Sequence, residues 1–148
     1  MQQEFTPENI QELKENEVFV FGSNLAGNHA GGAAAFAHRK FGAKMGVGVG
    51  PTGQCYALPT LDRNFGQLAF YNLRKYISKF LTHVEDNPGK KFLLTKIGIG
   101  IAGYAVEDMR SILWECIGNV CEQGRKPSNL IIPKEFDPSY KPVTLACR

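Results

Sequence analysis

The chain has 148 residues, which fits one domain and can bury a substantial core without disulfides or metals. Hydrophobic residues make up 43% and charged residues 21%, an ordinary mix for a water-soluble globule. The net charge of +3 is mild and its lysines and arginines are scattered, so nucleic acid is not indicated as a partner.

No apolar run approaches the ~20 residues of a membrane helix, so no membrane partner is expected. The opening Met1-Gln-Gln-Glu-Phe5 has neither a basic region nor an apolar stretch, so no secretory leader is expected and the reading is cytoplasmic. Cys55, Cys116, Cys121 and Cys147 show no C-x-x-C spacing. They read as free buried thiols in a reducing compartment, with neither zinc nor a disulfide framework. No cofactor is indicated.

In chain order, Thr6-Pro7-Glu8 carries the signals of a helix start: a capping hydroxyl, proline at the first position and an acid in the first turn. Ile10 and Leu13 would give that short helix one apolar face. Val18–Phe21 is a short bounded apolar run, read as a buried strand. A loop follows over 22–32, then a helix from about Ala33 to Lys40 with Gly42 at its C-terminal end. Nine of the sixteen glycines lie between Gly22 and Gly53, interrupted by apolar residues, which is too local and too mixed for a linker.

Cys55–Leu58 reads as a strand stopped by Pro59, and Thr60–Asn64 as a loop. Phe70, Leu73, Tyr76, Ile77, Phe80, Leu81 and Val84 mark a long amphipathic helix over 67–85. Asn87-Pro-Gly-Lys90 is a turn and Phe92–Thr95 a third strand. A second Gly-rich loop, Ile97–Tyr104, leads into a helix marked by Met109, Ile112, Leu113, Cys116, Ile117, Val120 and Cys121, with Glu107 and Asp108 in its first turn. Asn129–Pro133 is the last clear strand. Strands alternate with helices, so the expected fold is a single α/β domain over 1–148, a three-layer α/β/α sandwich with a mixed, largely parallel sheet. Ligands of such sheets bind beyond the carboxyl ends of the strands, where both Gly-rich loops fall.

The stretch Phe19-Val-Phe-Gly-Ser-Asn-Leu-Ala-Gly-Asn-His-Ala-Gly-Gly-Ala-Ala-Ala-Phe-Ala37 carries the most information. Strand, Gly/Asn loop and Ala-rich helix place backbone N–H groups and a positive helix end at the mouth of a sheet, a setting that favours an anion such as phosphate. Gly22, Gly27, Gly31 and Gly32 permit the backbone to wrap it. The run is neither G-x-G-x-x-G nor a P-loop. Two such loops point to a ligand with two phosphates. Asn24 and His29 are the side chains best placed to reach it; bracing of the loop is the other reading of His29. The second loop has no acid, base or nucleophile. Tyr104 either covers a sugar or packs in the core, and Asp62 either acts as a base or caps a turn.

These motifs resemble the macrodomains, which bind ADP-ribose. Asn24, His29, Gly31, Gly32 and Ala33–Ala37 match their first binding loop with the same Asn-to-His spacing, and Ile97-Gly-Ile-Gly-Ile-Ala-Gly-Tyr104 matches their second. Gly53–Thr60 is similar to the strand between them, so the likeness spans roughly 17–132. More closely, the chain resembles a bacterial and phage macrodomain-like group with Phe-Gly-Ser-Asn, Pro-Thr and Ile-Gly-x-Gly-x-Ala-Gly motifs.

The resemblance implies a ligand, ADP-ribose or a related nucleotide diphosphate sugar, free or on ADP-ribosylated macromolecules. It is held by Gly22, Ser23, Asn24, Gly27, Ala30, Gly31, Gly32 and Ala33 in one loop. The second contributes Gly98, Ile99, Gly100, Ile101, Ala102, Gly103 and Tyr104. It further implies, for the hydrolytic members, cleavage of ADP-ribosyl bonds or of a 1″-phosphate, with Asn24 and His29 as the catalytic residues. The chain departs from the family pattern at Ala30, at Gly98-Ile99, and at Asn16-Glu17, where an adenine-binding Asp commonly stands. The alternative is a non-catalytic nucleotide-derivative sensor or interaction module with a Rossmann-like fold, in keeping with the scarcity of acids and bases in both loops.

Overall fold

The computed structural model describes residues 3–142, and Cys147 lies outside them. Its centre is β1, Glu17–Asn24, whose alternating side chains enter two cores. Val18 and Val20 face one side; Phe19 and Phe21 face the other. A strand buried on both faces needs partners on both edges, and β1 has them. It pairs in parallel with β3 (Cys55–Leu61) and with β4 (Lys91–Leu94). β5, Leu130–Ile131, extends the parallel sheet beyond β4, and β2, Gly50–Thr52, runs antiparallel beside β3. The order is β2-β3-β1-β4-β5.

Helices cover both faces, giving the expected three-layer α/β/α sandwich. α2, Phe70–Asp86, and α3, Val106–Val120, bury Leu73, Ile77, Phe80, Met109, Leu113 and Ile117 against Val18, Val20, Tyr56, Leu58, Phe92 and Leu94. α1, Gly32–Lys40, is short and Ala-rich, so Ala34 and Ala37 lie close over Phe19, Phe21 and Ala57. Ile10 and Leu13 complete that second layer from the N-terminal segment.

That segment is not the helix its capping residues predict. A helix with two apolar positions and so few turns is marginal by itself. Instead Thr6 lies along β5: its N–H donates to Ile132 O (2.8 Å) and its hydroxyl to Ile131 O (3.1 Å). Ion pairs Glu4–Lys91 (2.6 Å) and Glu8–Lys96 (2.9 Å) fasten the rest.

Pro59 does not stop β3, which runs on to Leu61. β2 reaches only to Ala57, so beyond that point one edge of β3 has no strand and a missing N–H breaks no ladder bond there. Gln67 and Leu68 are not helical; α2 starts at Phe70, and Gln67 bridges back to Leu61. Cys121 lies just past α3, its N–H closing on Ile117 O. Cys55, Cys116 and Cys121 are free and buried, and burial pushes the Cys55 thiol up to about 12. No helix among the described residues is long and apolar enough to cross a membrane.

His83 on α2 sets its ring edge-on to Phe92 (5.6 Å) and near Tyr56 (5.1 Å). Burial, and then the charge of Lys90, holds its pKa below the ordinary value. The unfolded chain therefore binds more protons just below pH ~6.5, and that stability is lost as pH falls from there through the lowered folded value. Urea midpoints measured from pH 7.5 to 5 should decline below ~6.5 in the wild type and less steeply in His83→Gln.

Candidate functional site

The parallel strands deliver the carboxyl ends of β1, β3 and β4 to one edge of the sheet. A cleft of about 460 Å³ opens there between the loops that follow these strands. Gly22, Ser23, Asn24, Ala30, Gly31, Gly32 and Ala33 line it from the first loop, and Gly98, Gly100, Ile101 and Ala102 from the second. Gly27, His29, Ile99, Gly103 and Tyr104 lie outside that lining.

Asn24 shapes the first loop by reciprocal bonds: its Nδ2 donates to Asn28 O (2.8 Å) and its Oδ1 accepts from Asn28 N–H (3.0 Å). Each amide atom keeps one bonding position in hand. Below it, Ser23 Oγ donates to Gly48 O (2.5 Å). The Gly-rich segment 42–53 packs so tightly under this loop that a Cβ on Gly48 would lie 2.1 Å from Asn24 O. One on Gly27, at φ +72°, would lie 2.3 Å from the carbonyl carbon of Gly46. These glycines serve loop-on-loop packing.

His29 belongs to the same packing. It is 2% exposed, with its ring edge-on to Phe21. Nε2 lies 3.0 Å from Lys44 O and 3.1 Å from Val47 O, two acceptors that fix the proton on Nε2. Nδ1 is buried without a partner. The ring braces the loop from beneath and does not reach the cleft, so the catalytic expectation for His29 gives way to the bracing one.

At the mouth, α1 begins after Gly31, an N-cap without a side-chain bond. The N–H groups of Gly32, Ala33 and Ala34 have no intrahelical acceptor and stand on the cleft wall. The second loop folds back on itself through Tyr104 N–H to Gly98 O (2.8 Å), with Gly98 at φ +75°. A Cβ on Gly98 would meet the Tyr104 ring at 2.8 Å. Tyr104 itself is buried; its hydroxyl donates to Leu68 O and its ring packs on Phe70 at 6.0 Å. It is a core residue under the loop, not a cover for a sugar.

Asp62 caps a turn: Oδ1 accepts from the N–H groups of Asn64 (2.8 Å) and Gly66 (2.9 Å). That turn holds Phe65 at φ +65°, a left-handed backbone that costs a residue with a Cβ about 1–2 kcal/mol.

Sequence reasoning fixed on glycines and passed over Thr60, Phe65, Thr95 and Lys96, which also line the cleft. The signal for two of them was position: Thr95-Lys96 stands between a strand and a Gly-rich loop. Lys96 is the one acid or base lining the cleft among the described residues, and its charge is already matched. It pairs with Glu8 (2.9 Å) and Glu135 (3.1 Å), and the bond to Glu8 raises its pKa. Beyond it lies a second cavity of about 420 Å³, walled by the N-terminal segment, Phe19 and Phe36. The two cavities share Gly32, Ala33, Thr95 and Lys96. No group of three metal-ligating side chains occurs among the described residues.

The 2.1 Å approach at Gly48 makes Gly48→Ala overpacked against backbone that cannot rotate away. It should destabilise the fold by about 1–3 kcal/mol, read as a lowered urea midpoint with an unchanged slope. Comparisons with protein-family models, with curated proteins and with solved structures find no match.

Proposed function

We propose that this chain binds a nucleotide diphosphate sugar of the ADP-ribose type in the cleft at the carboxyl ends of β1, β3 and β4. The observation that carries this reading is the convergence of both Gly-rich loops and the free amides of α1 on one cavity. Peptide N–H groups in such an arrangement hold phosphate oxygens without side-chain charge. The adjoining cavity supplies room for a second part of an extended ligand. The motif likeness to macrodomains supports the same ligand class.

Binding without turnover is the form we favour. Lys96 is paired, His29 is buried beneath the loop, and Asp62 is committed to its turn. A second reading, hydrolysis of an ADP-ribosyl bond or of a 1″-phosphate, rests on Asn24, whose remaining donor and acceptor can orient a water at the cleft. A turnover assay on ADP-ribose 1″-phosphate and on an ADP-ribosylated protein separates the two; turnover that Asn24→Ala abolishes establishes the second.

Binding is tested by calorimetry with ADP-ribose. Gly32 lines the cleft at φ +59°, with open space where a Cβ would be, so a side chain there has room at the start of α1. Gly32→Ala carries the backbone strain alone, whereas Gly32→Glu adds a carboxylate where the phosphates would lie. Like charges so placed cost several kcal/mol, so Gly32→Glu should bind on the order of 100-fold more weakly than Gly32→Ala. Equal affinities of the two variants would remove the phosphates from α1.

A further inference from the structure

We propose that Phe65 and Ile101 form an apolar clamp at the cleft that closes on the face of a ligand ring, making Phe65 a residue that selects ring-bearing ligands over bare phosphates. The inference rests on the binding reading above. Phe65 is 53% exposed and Ile101 is 90% exposed. Single exposed apolar residues are ordinary, but these two come from separate loops, after β3 and after β4, and line the same cleft.

Phe65 also stands in a left-handed backbone conformation, which bulky residues rarely adopt. Nothing in the core needs its ring there. The strain is maintained by a dedicated set of bonds: Asp62 Oδ1 accepts from Asn64 and Gly66 N–H, Asp62 N–H donates to Gly66 O (2.8 Å), and Phe65 N–H donates to Asp62 O (3.2 Å). A glycine would satisfy the same turn without strain. An aromatic ring held out in solvent at a cleft rim, against its backbone preference, fits a stacking role. The matching ligand surface is the flat face of a nucleobase or the C–H face of a sugar.

Phe65→Gly separates stability from binding. Phe65 belongs to neither core cluster, and the glycine relieves the left-handed backbone, so the variant's melting temperature should equal or exceed that of the wild type. Its affinity for ADP-ribose should fall about tenfold, the size of a lost aromatic stack, while that for pyrophosphate, which has no ring, stays unchanged. Phe65→Trp should restore the ADP-ribose affinity, and Ile101→Ser should weaken it in the same direction. Weakening of AMP alone in Phe65→Gly names the nucleobase as the stacked ring, and weakening of ribose 5-phosphate as well names the sugar.

ADP-ribose affinity unchanged in Phe65→Gly and Ile101→Ser, in a protein that binds it, overturns the clamp and leaves the binding reading standing. An equal loss for pyrophosphate and ADP-ribose, or a lowered melting temperature, makes Phe65 a structural residue and also overturns the clamp. A wild type that binds none of the four probes overturns both.

Discussion

The double-sided burial of β1 is the constraint on which the rest depends. Val18 and Val20 are committed to one core and Phe19 and Phe21 to the other, so the strand cannot slip by one residue without exchanging the two. Parallel partners on both edges then fix where it ends: Asn24 emerges beside Leu61 of β3, and β4 finishes opposite Val20. Every loop of the cleft starts from one of these three ends. The position of the cleft is thus a consequence of register in the sheet.

Two kinds of glycine serve that arrangement, and they do different things. Gly27 and Gly48 let the 42–53 segment press against the first loop, a contact that fixes its shape from below. Gly31 and Gly32 have open space around them, and their value lies in what they leave uncovered, the amides at the start of α1. His29 belongs with the first kind. Its imidazole spans two carbonyls of the packed segment, so it supports the surface without being part of it.

The alternation of strands and helices was legible because each element's apolar period matched its burial. α3 illustrates this: Met109, Ile112, Leu113, Cys116 and Ile117 are the residues it buries. Capping signals alone were a poorer guide. Thr6-Pro7-Glu8 has the chemistry of a helix start, yet Thr6 finds its partners on β5, because local propensity in so short a segment is outweighed by tertiary hydrogen bonds. The two loops were legible as cleft-forming from their glycines and their place after strands. Which side chains face the cleft was not, since nothing in the order of residues tells that His29 and Tyr104 turn inward while Lys96 and Phe65 line the opening.

The charge distribution bears on how an anion would be recognised. Lys96 sits where the two cavities meet, but Glu8 and Glu135 answer it with two carboxylates, and Glu135 keeps a buried oxygen without a partner. Little attraction is left over from that cluster to act at long range. With a chain charge of only +3, steering of an anion from solution is weak as well. Any affinity for phosphate must then come from peptide dipoles, which act within the first turn of α1 and demand close approach. Under the proposed reading such a site would discriminate by shape before charge: it would admit an oxyanion small enough to touch the amides of Gly32–Ala34, and would leave selection among phosphates to whatever the rest of the ligand meets at the rim.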